Sequence, residues 1–118
     1  MSTLSENILQ KIKTFRDERN WMQFHDPKNM AIAVSIESAE LLEHFLWKSP
    51  EEVENYLKDP KNKQEVSDEI ADIMCFLLEL ADNLEIDIEQ AIENKMIHNA
   101  RKYPVEKARG RATKYTKL

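Results

Sequence analysis

Glycine occurs once in the 118 residues, as Gly110. A phosphate-cradling loop or a dinucleotide-binding turn needs glycines where the backbone closes on phosphate, and none stands upstream of that position. Tight two-residue hairpins draw on glycine or Asn-Gly as well, which argues against an all-β fold. Cysteine also occurs once, as Cys75, so neither an internal disulfide nor a multi-cysteine zinc site can form. The longest strongly apolar run, residues 73–78, is far too short to span a bilayer. The first residues lack a basic segment followed by an apolar one, so a secretion signal is not expected and a soluble, reducing, cytoplasmic setting is.

What is present is charge, unevenly spread. Residues 1–94 hold 21 acidic and 9 basic side chains, whereas residues 95–118 hold 8 basic side chains against Glu106 alone. An acidic body with a basic tail implies either a solvated arm or an anion gripped between tail and carboxylates.

The four prolines punctuate helical patterns. Leu4, Ile8, Ile12 and Phe15 recur at helical spacing, with Ser2 or Thr3 as a cap. Residues 21–25 read as a loop. Asp26-Pro27 is a cap followed by a first-turn proline, opening a helix that runs to about Trp47. Ser49-Pro50-Glu51-Glu52 forms a capping box for a short helix, Asp59-Pro60 separates it from a long one ending near Asp82, and Asp87 caps a last helix that stops near Tyr103-Pro104. The expected fold is all-α, a four-helix bundle with a short extra helix. Residues 1–104 are expected to form the helical catalytic domain, and 105–118 the basic tail of the same domain. The long fourth helix carries apolar groups on nearly every side, from Ile70 to Ala81. A small bundle cannot cover all of them, so a homo-oligomer is expected.

Acidic residues three apart are common here, as in Glu51/Glu54, Glu65/Asp68 and Glu79/Asp82, and most are solvated helix faces. Two pairs differ in context. Glu37 falls within the stripe Met30, Val34, Leu41, Phe45, with Glu40 on its flank. Glu69 falls within the stripe Val66, Ile73, Phe76, Leu80, with Asp72 on the same flank. An ionised carboxylate facing a core is costly unless it is paired, protonated or metal-bound. Oxygen-only ligation suits hard cations such as Mg²⁺ or Mn²⁺. A di-iron bundle wants Glu-x-x-His pairs, and here His44 follows Glu40 by four. Helix-to-helix salt bridges are the plainer alternative for Glu37 and Glu69, and a core position for Cys75 and structural roles for His25 and His44 are the plainer readings of those residues.

The segments Ser35-Ile-Glu-Ser-Ala-Glu40 and Glu69-Ile-Ala-Asp72 resemble the acidic motifs of the MazG-like, all-α nucleoside triphosphate pyrophosphohydrolases. So do Glu18-Arg-Asn-Trp21, Gln23-Phe-His25, Phe45-Leu-Trp-Lys48, Lys95-Met96, Asn99, Lys102-Tyr-Pro104 and the tail from Ala108, all similar to the branch that includes dCTP pyrophosphatases. The resemblance covers nearly the whole chain in order. It implies Mg²⁺-dependent hydrolysis of a nucleoside triphosphate, dCTP or a dCTP-like nucleotide, to monophosphate and pyrophosphate. It assigns Glu37, Glu40, Glu69 and Asp72 to the metal; among these four, Glu40, as general base, and Glu37 are the carboxylates we expect to be catalytic. Lys95, Asn99, Lys102 and Tyr103 would meet the phosphates, and Trp21, Trp47 and Phe76 the base. The family also implies a tetramer, a dimer of dimers. Two positions depart from the branch: Ile12 stands where histidine is expected, and Phe76 where tyrosine is.

Neither a membrane partner nor stable nucleic-acid binding is expected. A competing reading is a non-catalytic helical interaction protein whose basic tail, with Tyr103 and Tyr115 between cations, binds nucleic acid or an acidic partner.

Overall fold

The computed structural model describes residues 3–118, with side chains from Glu6 onward. The cap expected from Ser2 or Thr3 lies outside the described residues and side chains. Six α-helices and two short 3₁₀ turns make up the regular structure, with no strand among the described residues. Among the described residues the chain divides into two compact units, 3–85 and 86–118.

The first unit holds α1 (Thr3–Glu18), α2 (Pro27–Glu43), the short α3 (Pro50–Tyr56) and α4 (Pro60–Asn83), with a 3₁₀ turn at Met22–Phe24. Each helix start after the first is built from side-chain acceptors. Asp26 accepts from the Asn29 N–H and Asp59 from the Lys61 N–H, each with proline in the first turn. Ser49 and Glu52 form the reciprocal capping box. α4 packs chiefly on α2 and also on α1. Leu9, Met30, Val66 and Ala81 are the buried apolar residues among those described.

Helix α2 stops at Glu43, short of Trp47. The His44 N–H turns back onto Leu41 and Leu42 carbonyls, and the His44 Nδ1 bonds the Tyr56 hydroxyl of α3 at 2.8 Å. Trp47 then takes φ +63°, so the chain bends toward the Ser49 cap instead of continuing the helix. With so little glycine, helix ends use other residues in the left-handed region: Asn20 after α1 and Glu85 after α4 have φ +54° and +56°.

The second unit holds α5 (Ile88–Lys102), the one-turn α6 (Val105–Ala108) and a 3₁₀ turn at Tyr115–Lys117. Asp87 caps α5 by accepting from the Gln90 N–H at 3.1 Å. Gly110 sits at φ +72° two residues beyond α6, where left-handed backbone is needed.

Candidate active site

Residues three or four apart share a face of a helix, and a stripe of apolar neighbours turns that face inward. Met30 and Val66 anchor the two stripes and are buried, so Glu37 on α2 and Glu69 on α4 are carried toward the α2–α4 seam. Ligand oxygens of Glu37, Glu40 and Glu69 all lie within 4.8 Å of one another. That is close to the span of about 4 Å across the oxygen shell of Mg²⁺. One oxygen each of Glu37 and Glu69, the Oε2 atoms, is buried with no hydrogen-bond partner. Orphaned buried carboxylate oxygens are expensive, and a cation is the partner that would satisfy both at once.

The electrostatics agree. Burial, then the Glu69 and Glu40 carboxyls at hydrogen-bond range, then the charges of Glu40 and Asp72, push Glu37 up to about 7. The charge of Asp72 thus reaches Glu37, although its oxygens fall outside the group of three. The donor set fits a hard divalent cation. The salt-bridge alternative fails for Glu37 and Glu69, since no lysine or arginine bridges to either among the described residues.

Two cavities flank the carboxylates. One, about 330 Å³, is polar and is lined by Glu40 and Glu69 together with Glu43, His44, Lys48 and Tyr56. The other, about 460 Å³, reaches Asp72 and is walled by Ile12, Phe15, Trp21, Cys75 and Phe76. Trp21 stands edge-on to Phe15 at 5.7 Å. Burial, then the charge of Asp72, pushes the Cys75 thiol up, so it is a protonated wall residue of this cavity.

Trp21 and Phe76 thus share a cavity, whereas Trp47 is 92% exposed and lines neither. Lys95 and Asn99 stand on one face of α5, Lys102 ends it and Tyr103 is its C-cap, all in the second unit. Within that unit Tyr103 packs edge-on against Tyr115 at 5.9 Å, and the Lys102 ammonium lies 4.6 Å from the Tyr115 ring centre.

Two histidines have partners that the sequence reading left unassigned. His44 holds Tyr56, and His25 Nδ1 bonds the Glu79 carboxylate at 2.7 Å. Glu79 reads from its spacing to Asp82 as a solvated acid, yet it is 2% exposed. The signal that could have found it is its spacing, three and seven residues after Phe76 and Asp72 on α4.

The chain matches the MazG-like family model over residues 32–118. Among curated proteins it is 40% identical to dCTP pyrophosphatase 1 of Bos taurus over 113 residues, which is 96% of this chain and 67% of that protein. It is 35% identical to dCTP pyrophosphatase 1 of Homo sapiens, over 96% of this chain and 66% of that protein. The chain thus spans about two thirds of the length of these relatives. Among solved structures, a pyrophosphatase from Archaeoglobus fulgidus superposes with a TM-score of 0.81 at 44% identity, covering 88% of this chain and 95% of that one. The chain belongs to the MazG-like family.

Proposed function

We propose that this protein hydrolyses a deoxynucleoside triphosphate, dCTP or a dCTP-like nucleotide, to the monophosphate and pyrophosphate, with Mg²⁺ held by Glu37, Glu40, Glu69 and Asp72. Pyrophosphohydrolase activity on nucleoside triphosphates follows from the family and from the dCTP pyrophosphatase relatives. The observation that carries the metal assignment is the pair of orphaned buried oxygens on Glu37 and Glu69. Mn²⁺ has the same ligand chemistry and is a possible substitute.

When bound, the cation would supply charge to the triphosphate oxygens and lower the pKa of a water. The chain's own residues supply the rest. Glu40 borders the polar cavity, where water has access, and we assign it as general base with Glu37 beside it. The apolar cavity beside Asp72 suits a base, with Trp21 and Phe76 as its walls. Trp47, with its indole open to solvent, is retained as a further base contact. Lys95, Asn99, Lys102 and Tyr103 are assigned to the phosphates, because cationic and amide donors form charge-assisted hydrogen bonds to them. Residues 1–104 would then be the catalytic segment and 105–118 its basic tail.

A homo-oligomer, a tetramer built as a dimer of dimers, and a cytoplasmic housekeeping role in the nucleotide pool complete this reading. Oligomerisation is supported by Ile32, Ile36 and Leu42 on α2 and Ile70, Met74 and Leu77 on α4, all more than 40% exposed. No described helix is long and apolar enough to cross a membrane. The tail-binding alternative loses support because Tyr103, Tyr115 and Lys102 pack on one another, leaving less ring face for bases to stack on.

The test is pyrophosphate release from a panel of deoxynucleoside triphosphates, with and without Mg²⁺. Mg²⁺-dependent release supports the reading. Release from none of them, with the protein folded, overturns it.

A further inference from the structure

Arg16 and Glu79 are opposite charges 63 positions apart in sequence, on α1 and α4. Both are more than nine-tenths buried, at 7% and 2% exposure. Buried charge is tolerated only when paired and hydrogen-bonded. Here the Arg16 Nη1 lies 3.6 Å from the Glu79 Oε2, and the Asn83 amide donates to the same oxygen at 3.1 Å. His25 Nδ1 contacts both Glu79 oxygens, at 3.0 and 2.7 Å. A carboxylate only accepts, so the His25 proton sits on Nδ1, and in the neutral ring Nε2 is left as an acceptor. Arg16 spends its Nε on Asp17 at 2.8 Å and its Nη1 also on Asn83 at 3.4 Å.

A purely structural network would be sealed among apolar side chains. This one opens instead onto the apolar cavity beside Asp72, for Arg16, His25 and Glu79 all contribute to its wall. Apart from Lys11 and Asp72, the remaining wall is aromatic, aliphatic or thiol. These three side chains are therefore a polar end on an otherwise greasy slot. Arg16 has its Nε and Nη1 engaged, while the Glu79 Oε1 has His25 as its one hydrogen-bond partner among the described residues. Glu79 therefore has acceptor capacity left to offer a ligand.

We propose that Glu79 determines which bases are accepted, its carboxylate taking a hydrogen bond from an exocyclic amino group while His25 and Arg16 hold it in place. This rests on the reading of the cavity as the base pocket of a nucleotide hydrolase. Cytosine and adenine carry such an amino group. Uracil and hypoxanthine place a carbonyl oxygen at the same point, where it would face carboxylate lone pairs with no proton between them. Ile12 and Phe76 offer no polar atom to compensate. Selection thus falls to a residue outside both acidic motifs.

Two substrate pairs isolate the effect from ring size: dCTP against dUTP, and dATP against dITP. In the wild type, kcat/KM should favour the amino member of the accepted pair by at least ~10-fold. Glu79→Gln, whose amide can donate as well as accept, should bring that ratio toward unity while the keto nucleotide is turned over at least as well as before. A merely structural Glu79 would lower all nucleotides alike. Because Glu79→Gln leaves Arg16 with Asp17 as its one ion-pair partner among the described residues, the double variant Arg16→Met/Glu79→Gln removes both buried charges together and should show the same collapse of the ratio. Equal turnover of amino and keto members by the wild type overturns the inference and leaves the hydrolase reading standing. So does a folded variant of either kind that keeps the wild-type ratio. Release of pyrophosphate from no nucleotide at all by the wild type overturns both.

Discussion

Replacing Glu37 by glutamine is expected to strengthen the metal-free fold and to abolish its response to metal. The carboxyl is carried into the α2–α4 seam, where burial and the neighbouring Glu69, Glu40 and Asp72 push it from 4.5 up to about 7. A group whose folded pKa lies above its unfolded value contributes stability below the unfolded pKa. That contribution is lost as pH rises through the folded one. For Glu37 the loss runs from about pH 4.5 to about 7, and above it the metal-free protein carries one more crowded, ionised carboxylate. A shift of this size corresponds to ~3 kcal/mol. Solvent reaching the half-buried side chain reduces it to ~1–2 kcal/mol. Glutamine keeps the shape and stays neutral throughout. In chelator, Glu37→Gln should therefore melt with the parent near pH 5 and roughly 4–8 °C above it near pH 8. Mg²⁺ should raise the parent's Tm at pH 8, by ~2.7 kcal/mol of stability at a hundred times its Kd, and leave the variant unmoved. Far-UV circular dichroism at one fixed protein concentration reads all three conditions for both proteins. A variant less stable than the parent at pH 8 in chelator refutes the reasoning, as does a parent whose Tm ignores Mg²⁺.

Other outcomes follow from the same structure. Glu40→Gln and Asp72→Asn should each lower kcat at least ~100-fold with far-UV spectra unchanged, and near-normal rates in either would sink the assignment. Lys95→Ala should raise KM for the triphosphate ~10-fold, since it removes a charge-assisted phosphate contact, while nucleoside affinity stays put. Glu85→Gly should raise stability by up to ~1 kcal/mol in denaturant titration, because it relieves a left-handed residue at φ +56° and removes a negative charge from a helix C-terminus. Sedimentation should give a particle larger than the 13.9 kDa chain at micromolar concentration, and a stable monomer would remove the explanation for the exposed apolar faces of α2 and α4.

Much of the fold was legible because its signals are local. Asp26, Ser49 and Asp87 each cap the helix they were expected to cap, since a cap and a first-turn proline need only neighbours within four residues. The inward aim of Glu37 and Glu69 was legible from periodicity for the same reason. The end of α2 was not. It depends on the bond from His44 to Tyr56, which the α2 pattern does not contain. The grouping of Arg16, His25 and Glu79 was hidden further still, because its partners are 54 and more residues apart and each alone looks like a solvated charge or a structural ring. Tertiary pairing of polar groups leaves no period in a single chain to read.

The most direct test of the account is product analysis of dCTP hydrolysis in Mg²⁺ and in chelator. If the inward carboxylates grip a cation for pyrophosphohydrolysis, dCMP and pyrophosphate should accumulate one for one in Mg²⁺, and neither should form in chelator. Release of dCDP and orthophosphate, or hydrolysis undiminished in chelator, would contradict it.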